Sequence, residues 1–187
     1  MSTTINGRYQ LHEKLGQGGM GIVYRATDRL THEIVALKQI FLPYTQKLLT
    51  SIAPSQTDSA LRLALAHEFQ TLASLRHPHI ISVLDYGFDE EQQPFFTMSY
   101  LPQAQTILEA GNGRSISEKC QLILQTLEAL AYLHRQGILH RDIKPGNVLV
   151  SDGQIRVLDF GIASAKEKAT GSVGSWLYMP PELLLEE

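Results

Sequence analysis

A glycine-rich turn between two strand-like runs constrains this chain most strongly. The segment Gly16-Gln-Gly-Gly-Met-Gly21 follows the alternating run Tyr9–Leu15 and precedes Ile22-Val23-Tyr24, which is rich in strand-forming residues. A dinucleotide-binding turn requires a helix directly after its glycines, and a Walker A loop ends in Gly-Lys-Ser/Thr, so the sequence excludes both. Two interpretations remain. One is a plain hairpin turn, and the other is a loop whose glycines let backbone N–H groups approach phosphate oxygens.

The rest of the first hundred residues predicts a sheet with one helix. Strands are predicted over Tyr9–Leu15, Gly21–Ala26, Glu33–Lys38, Ile80–Tyr86 and Pro94–Tyr100. Apolar residues at helical spacing predict a helix over about 59–75, whereas two prolines and a Ser/Thr/Gln cluster predict a loop or insertion over 41–59.

The remainder reads as helix, loop and short strands. A helix is predicted over about Ser117–Arg135, with Ser117 as its N-cap and Gly137 just beyond its end. Short strands are predicted around Val148–Val150 and Ile155–Leu158. The composition changes near Leu101-Pro102, so we predict an α+β fold with domains 1–101 and 102–187.

Composition limits the possible partners and compartments. The formal net charge of −3 provides no basic field for nucleic acid, so we expect no nucleic-acid partner. The one cysteine, Cys120, cannot form an internal disulfide, and we expect it to be a small core residue. Residues 1–10 lack the pattern of a signal peptide, and no window has the length of a membrane span. We therefore expect a cytoplasmic location and no membrane segment in the chain.

Further motifs follow the glycine loop in a fixed order. Val35-Ala-Leu-Lys38 ends in a lysine flanked by apolar residues, and Glu68 lies on the predicted helix ten residues before Pro78. The most specific segment is His140-Arg-Asp-Ile-Lys-Pro-Gly-Asn147, and it is followed by Asp159-Phe-Gly161 and Pro180-Pro-Glu182. Together these motifs resemble the protein kinase family, and in particular the eukaryotic-like serine/threonine kinases of bacteria.

The resemblance, which covers roughly residues 8–187, implies a two-lobed protein-kinase-like fold. The N-lobe would be an antiparallel sheet plus one helix. The C-lobe would be mainly helical, and we expect it to be incomplete because the family continues with further helices. The implied function is ATP-dependent serine/threonine protein kinase activity on a protein substrate. The alternative is a truncated, catalytically weak nucleotide-binding or regulatory interaction module.

The resemblance also implies roles for individual side chains. Asp142 would orient the substrate hydroxyl or accept its proton, and Lys144 would lie near the transferred phosphate. Asn147 and Asp159 would bind Mg²⁺, with Mn²⁺ as the alternative metal, through oxygen atoms. We interpret His140, which lies two residues before Asp142, as structural.

The implied nucleotide site draws on the glycine loop, Lys38 and the strand before Leu101. Lys38, oriented by Glu68, would contact the α- and β-phosphates of ATP. Met98 would be the gatekeeper, and backbone groups of Ser99 and Leu101 would hydrogen-bond the purine. The remaining predicted ATP contacts are Gly16, Gly18, Gly21, Val23, Ala36 and Leu149.

Regulation by phosphorylation is also implied. Arg141 before Asp142 is typical of kinases that are activated by a phosphate on the activation loop. The candidate autophosphorylation sites are Thr170, Ser172 and Ser175.

Overall fold

The computed structural model describes residues 3–18, 21–41, 69–159 and 178. The chain divides into two compact units, one formed by Met1–Leu75 and Ser82–Tyr100, the other by Arg76–Ile81 and Leu101–Glu187. The division after Tyr100 lies one residue before the end of the predicted first domain, and segment 76–81 groups with the second unit.

The first unit contains a six-stranded antiparallel sheet in the order β1-β2-β3-β4-β6-β5. Its strands are β1 (Thr4–Ile5), β2 (Tyr9–Gly18), β3 (Gly21–Asp28), β4 (Ile34–Ile40), β5 (Val83–Phe88) and β6 (Pro94–Ser99). Residues 69–74 are helical. The predicted antiparallel sheet of the first part is thus confirmed. All but the first residue of the predicted loop over 41–59, and residues 59–68 of the predicted helix, lie outside the described residues.

A hairpin that was not predicted precedes β2. Asn6 and Gly7 have φ values of 50° and 62°, and the Arg8 amide donates to the Ile5 carbonyl at 3.1 Å. Two successive positive φ angles are typical of a type I′ turn, for which Asn-Gly is the preferred pair. The Asn6 side chain also donates to the Phe88 carbonyl at 2.8 Å, which ties the hairpin to β5.

The inner face of this sheet forms the apolar core of the first unit. Side chains alternate across strands, so one face of β4 carries Val35 and Leu37 into the core. The other core members are Ile5, Tyr9, Ala26 and Phe95. Ala36 and Lys38 therefore lie on the opposite face of β4.

An ion-pair network joins β2, β3 and β5 at one edge of the first unit. Arg8 donates to both carboxylate oxygens of Asp28, at 3.0 and 2.7 Å, and to Asp85 at 2.6 Å. The Tyr9 hydroxyl donates to the same Asp85 oxygen at 2.9 Å. The Arg8 hydrogen bonds lower the pKa of Asp28 to about 2, and burial, followed by the hydrogen bond to Asp85, raises the pKa of Tyr9 to about 12.

The second unit combines two helices with a small antiparallel sheet in the order β7-β8-β9. Its elements are β7 (Gln105–Thr106), α1 (Ile107–Gly111), α2 (Ile116–Arg135), β8 (Val148–Ser151) and β9 (Gln154–Val157). A short 3₁₀ turn, Pro145–Asn147, leads into β8. Leu122, Ala129 and Leu133 of α2 are buried, and Gln125 of α2 accepts a hydrogen bond from the Ile155 amide of β9 at 3.0 Å.

The N-cap of α2 is Ser115, so the prediction of Ser117 was wrong. The Ser115 hydroxyl accepts from the Glu118 amide at 3.3 Å, and the Glu118 carboxylate accepts from the Ser115 amide at 2.9 Å. This reciprocal capping box needs a Glu three residues after the cap, whereas Ser117 has Cys120 there.

The expectation for Cys120 was also wrong, because its side chain is exposed. Cys120 lies two positions before the buried Leu122 on α2. Residues two positions apart on a helix point about 200° apart around its axis, so Cys120 lies on the side opposite Leu122. In the part of the chain that the structure describes, no helix is long and apolar enough to cross a membrane.

Candidate active site

The segment from His140 to Asn147, called the catalytic segment below, makes internal contacts around Asp142. One Asp142 carboxylate oxygen lies 3.0 Å from Lys144 Nζ and accepts from Asn147 Nδ2 at 3.2 Å. Asn147 is buried, and its Nδ2 also donates to the Asp142 backbone carbonyl at 2.7 Å. These contacts bring three of the predicted catalytic residues together and fix the direction of the Asp142 carboxylate.

His140 uses both ring nitrogens to hold this segment. Its Nδ1 accepts from the Asp142 amide at 3.3 Å, so the proton lies on Nε2, which donates to the Leu158 carbonyl at 2.9 Å. Burial lowers the pKa of His140, against an opposing effect of the Leu158 carbonyl. A neutral imidazole with both nitrogens in use is poorly suited to act as a base, which supports its interpretation as structural.

Leu158 connects the catalytic segment to Asp159. Its amide donates to the Asn147 carbonyl at 2.9 Å, and its own carbonyl accepts from His140. Asp159 has a φ of 58° and Arg141 a φ of 62°, both in the left-handed region that residues with side chains rarely adopt. Such backbone strain concentrates at functional sites. No sequence motif indicated the role of the Leu158 backbone.

Asn147 and Asp159 offer the oxygen atoms that a hard divalent cation prefers. Because Asn147 Nδ2 donates to Asp142, the amide presents Oδ1 as the atom for a cation. No group of three His, Cys, Asp or Glu side chains in the described residues could hold a metal ion. Mg²⁺ commonly takes one or two protein oxygen ligands and completes its shell with phosphate and water.

One face of the first unit's sheet collects four of the predicted nucleotide contacts. Val23 of β3 pairs with Lys38 of β4, and Ala36 of β4 pairs with Met98 of β6. Directly paired antiparallel residues share a face, as do residues two apart on one strand. Val23, Ala36, Lys38 and Met98 therefore lie on the same face, opposite the apolar core.

Lys38 is buried on this face, with its Nζ 5.9 Å from the centroid of the Phe96 ring. A buried ammonium requires an anionic partner. The predicted partner Glu68 lies outside the described residues, but Phe69 directly after it packs 5.5 Å from Phe96, ring centroid to ring centroid. The helical residues 69–74 thus reach the strand that pairs with Lys38.

The three predicted glycine contacts differ in what the fold requires of them. Gly21 has a φ of 149°, and a Cβ added there would lie 1.9 Å from the Gln39 carbonyl oxygen. Among the described residues, a Cβ added at Gly16 or Gly18 would meet no atom within 4 Å. Packing there explains Gly21 but not Gly16 or Gly18, whose predicted role as nucleotide contacts stays a prediction.

The remaining predicted nucleotide contacts lie at the end of β6 and in the second unit. The Ser99 amide donates to the Ser82 carbonyl at 3.0 Å, so Ser99 would offer a purine its carbonyl rather than its N–H. Leu101 and Leu149, both half-buried, belong to the second unit. The predicted Phe160, Gly161 and 180–182 motif positions, and the phosphate acceptors Thr170, Ser172 and Ser175, lie outside the described residues.

Comparison with known proteins identifies the family. The protein kinase domain family matches residues 9–187. The chain is 34% identical to PrkC of Bacillus subtilis over 187 residues, covering 95% of this chain and 27% of PrkC, which is a serine/threonine-protein kinase. It is 34% identical over 206 residues to PknB of Bifidobacterium longum, a probable serine/threonine-protein kinase, covering 97% of this chain and 28% of PknB.

A probable serine/threonine-protein kinase of Streptomyces coelicolor is 34% identical over 191 residues, covering 95% of this chain and 27% of that protein. The chain thus spans about a quarter of the length of these curated relatives. The predicted resemblance to bacterial serine/threonine kinases is confirmed, and the chain belongs to the protein kinase domain family.

Proposed function

We propose that this chain carries the ATP-binding and catalytic residues of a serine/threonine protein kinase, which transfers the γ-phosphate of ATP to a Ser or Thr hydroxyl of a protein. The observation that carries the proposal is the Asp142 carboxylate held between Lys144 Nζ, at 3.0 Å, and Asn147 Nδ2, at 3.2 Å. Phosphoryl transfer depends on positioning and charge neutralisation, and a carboxylate fixed in this way can align an attacking hydroxyl.

Each held group has a task in the transfer. Asp142 accepts a hydrogen bond from the substrate hydroxyl and directs its oxygen toward the γ-phosphorus. The Lys144 ammonium, already beside Asp142, compensates negative charge on the transferred phosphoryl group. A lysine two residues after the catalytic aspartate is the feature that favours Ser/Thr over Tyr acceptors in this family.

The family uses ATP with a divalent metal, and we propose that the metal is Mg²⁺, bound through Asn147 and Asp159. When bound, Mg²⁺ neutralises phosphate oxygens of the nucleotide. Asn147 would then hold Asp142 through its Nδ2 and the cation through its Oδ1. One buried side chain would in this way fix the metal and the catalytic carboxylate relative to each other.

In the first unit, we propose that Val23, Ala36 and Met98 contact the adenine while Lys38 contacts the α- and β-phosphates. Support comes from the strand register, which gives these side chains one common face. We further propose that Glu68 is the counter-ion of Lys38. We also propose Leu101 and Leu149 as nucleotide contacts.

A second candidate function is nucleotide binding without efficient transfer, as a regulatory or interaction module. The observation that favours it is the exposed apolar side of α2, where Ile116, Ile123, Leu124 and Leu127 are all more than half exposed. An apolar surface of this kind is typical of contacts with other protein surfaces. Both candidates predict ATP binding, and only the first predicts transfer.

The test is incubation with ATP labelled at its γ-phosphate, Mg²⁺ and a generic basic protein substrate, followed by phosphoamino-acid analysis. We expect label on serine or threonine that is lost in Asp142→Asn. Asp152→Asn is the matched control, because Asp152 is exposed in the β8–β9 turn with a φ of 51°, a conformation that Asn also tolerates. Retained ATP binding with no transfer by the unsubstituted chain would instead support the second candidate.

The same assay tests self-modification. We propose that Thr170, Ser172 or Ser175 accepts phosphate, because Arg141 provides a cation suited to a nearby phosphate. Label on the chain itself, located by mass spectrometry at one of these positions, is the expected result. Label confined to other positions would refute this assignment without affecting the main proposal.

A further inference from the structure

Two neighbouring histidines lie where segment 76–81 meets α2. The ring centroids of His77 and His79 are 5.6 Å apart, and the His77 ring lies against Tyr132 with a centroid distance of 5.0 Å. His79 Nε2 is 3.5 Å from a carboxylate oxygen of Glu128. All of these residues belong to the second unit.

The hydrogen bonding of the pair depends on its protonation. The His79 amide donates to His77 Nδ1 at 3.1 Å, which is possible only while that nitrogen carries no proton. A proton on His77 Nδ1 therefore removes the bond from the His79 amide.

The same segment is attached to α2 and β9 by backbone groups on either side of the pair. The Arg76 amide donates to the Tyr132 hydroxyl at 3.1 Å. The Val157 amide of β9 donates to the His79 carbonyl, and the Ile81 amide donates to the Val157 carbonyl, both at 3.0 Å. The bond from His79 to His77 therefore lies in the middle of the attachment.

The surrounding charges set the direction of the acid response. The charged and titratable groups of α2 that face the pair are Glu128, Tyr132 and Arg135, and the β9 contact is the apolar Val157. Burial has the largest effect on the pKa of His77 and lowers it, and the charges of His79 and Arg135 lower it further. The Glu128 carboxylate raises the same pKa but does not outweigh them. Because the folded-state pKa is lowered, the unfolded chain takes up the proton first. Stability contributed by neutral His77 is therefore present above its ordinary pKa of 6.5 and is lost as pH falls through the interval below it.

We propose that His77, as the acceptor of the His79 amide, makes the attachment of segment 76–81 proton-sensitive: the attachment is closed at neutral pH and loosens reversibly in mild acid. The segment continues directly from the helical residues 69–74, which follow Glu68. Loosening is expected to slow phosphoryl transfer. This consequence for transfer rests on the proposed kinase function, whereas the loosening itself does not.

Amide hydrogen exchange of the whole chain, without ATP, tests the attachment at about pH 7.5 and about pH 5.5. After correction for intrinsic exchange rates, the Ile81 and Val157 amides should exchange roughly tenfold faster in acid, because a buried hydrogen bond is lost. The Ile155 amide, bonded to Gln125, is the internal reference and should keep its protection.

Two substitutions separate the acceptor from the ring. His77→Asn places an oxygen near the position of Nδ1 but cannot titrate, so it should keep neutral-pH protection and lose the acid response. His77→Phe keeps a ring against Tyr132 but has no acceptor, so Ile81 and Val157 should exchange rapidly at both pH values. His140 remains in both variants, so its own titration cancels in the comparison.

Equal protection of Ile81 and Val157 at both pH values in the unsubstituted chain would overturn the proposal, and so would an undiminished acid response in His77→Asn. If a variant does not fold, NMR titration of the His77 ring in the unsubstituted chain provides the test. Amide protection that stays constant while that ring titrates contradicts the proposal. None of these outcomes bears on transfer, so failure here is distinguishable from failure of the kinase assignment.

Discussion

Replacing Gly21 by Ala should destabilise the first unit, while the same change at Gly18 should not. A Cβ at Gly21 would lie 1.9 Å from the Gln39 carbonyl oxygen, where ordinary contacts begin near 3.4 Å. The ends of β3 and β4 would have to separate by more than about 1 Å, and overpacking of this kind costs about 1–3 kcal/mol. The φ of 149° adds about 1–3 kcal/mol of backbone strain for a residue with a side chain.

The two effects together lower the free energy of unfolding by about 2–6 kcal/mol. For a chain of this size, that corresponds to a fall in Tm of roughly 5–20 °C. Thermal unfolding followed by circular dichroism measures it. Gly18→Ala is the matched control, because its added Cβ meets no atom of the described part of the chain within 4 Å. Its Tm should stay close to that of the unsubstituted chain.

ATP affinity is a second property in which substitution of Gly18 should have an effect, although its stability should not change. A methyl group at Gly18 occupies space that the proposed function assigns to phosphate oxygens, so Gly18→Ala should weaken ATP binding without loss of stability. An unchanged Tm in Gly21→Ala would refute the close approach of β3 to the Gln39 carbonyl. Unchanged ATP affinity in Gly18→Ala would refute the role of the turn in covering phosphates.

Three further predictions concern the capping of α2, the ion-pair network and the catalytic lysine. Ser115→Ala removes the capping box and should lower the free energy of unfolding, measured by heat or urea, by about 1 kcal/mol. Ser117→Ala should have little effect. A larger loss of stability in Ser117→Ala than in Ser115→Ala would contradict the assigned cap. Arg8→Met leaves the buried Asp28 carboxylate without its bidentate partner and should lower the free energy of unfolding at neutral pH by about 2 kcal/mol. Since the pKa of Asp28 falls from 3.8 to about 2 on folding, the stability it contributes is present above pH 3.8 and is lost as pH falls toward 2, and this acid dependence should disappear in Arg8→Met. Lys144→Ala should reduce the rate of phosphoryl transfer about 10²-fold with ATP affinity nearly unchanged, and a selective loss of ATP affinity would contradict its proposed position beside the transferred group.

Local patterns predicted most of the secondary structure, because the relevant periods are visible in short windows. The alternation in Tyr9–Leu15 and the spacing of apolar residues in Ser117–Arg135 correspond to β2 and α2. The helix start was misplaced because two serines lie close together, and only Ser115 has a glutamate at the third following position. The two-residue β7 is too short to have any period of its own and exists through its pairing with β8.

The Asn6-Gly7 turn could have been recognised, since Asn-Gly is a strong hairpin signal. It was missed because the flanking β1 has only two residues, and the burial of Ile5 depends on partners as distant in sequence as Phe95. Segment 76–81 was predicted in part as strand, yet only Ile80 makes an isolated bridge, to Val157. Long-range pairings of this kind leave no trace in a local window.

For the site, the motifs identified the side chains but not how they are held. Asp142, Lys144 and Asn147 follow from their order within the catalytic segment. Asn147 Nδ2 donates to the Asp142 backbone carbonyl as well as to its carboxylate, and His140 bonds the Asp142 amide and the Leu158 carbonyl. Backbone groups of this kind carry no sequence identity. Which residues act thus stays a prediction of the motifs, whereas the contacts that keep His140 neutral are visible only in three dimensions.

The separation of ATP binding from phosphoryl transfer in Asp142→Asn tests the central claim most directly. Calorimetric titration with ATP and Mg²⁺ would give the affinity, and single-turnover transfer of a labelled γ-phosphate would give the rate. Asn at position 142 keeps the size of the side chain and one oxygen for the Asn147 contact, but it cannot accept the hydroxyl proton. We expect ATP affinity within about twofold of the unsubstituted chain and transfer slower by at least about 10²-fold. Transfer at an unchanged rate, with both proteins folded and bound to ATP, would contradict the assignment of Asp142 as the catalytic residue.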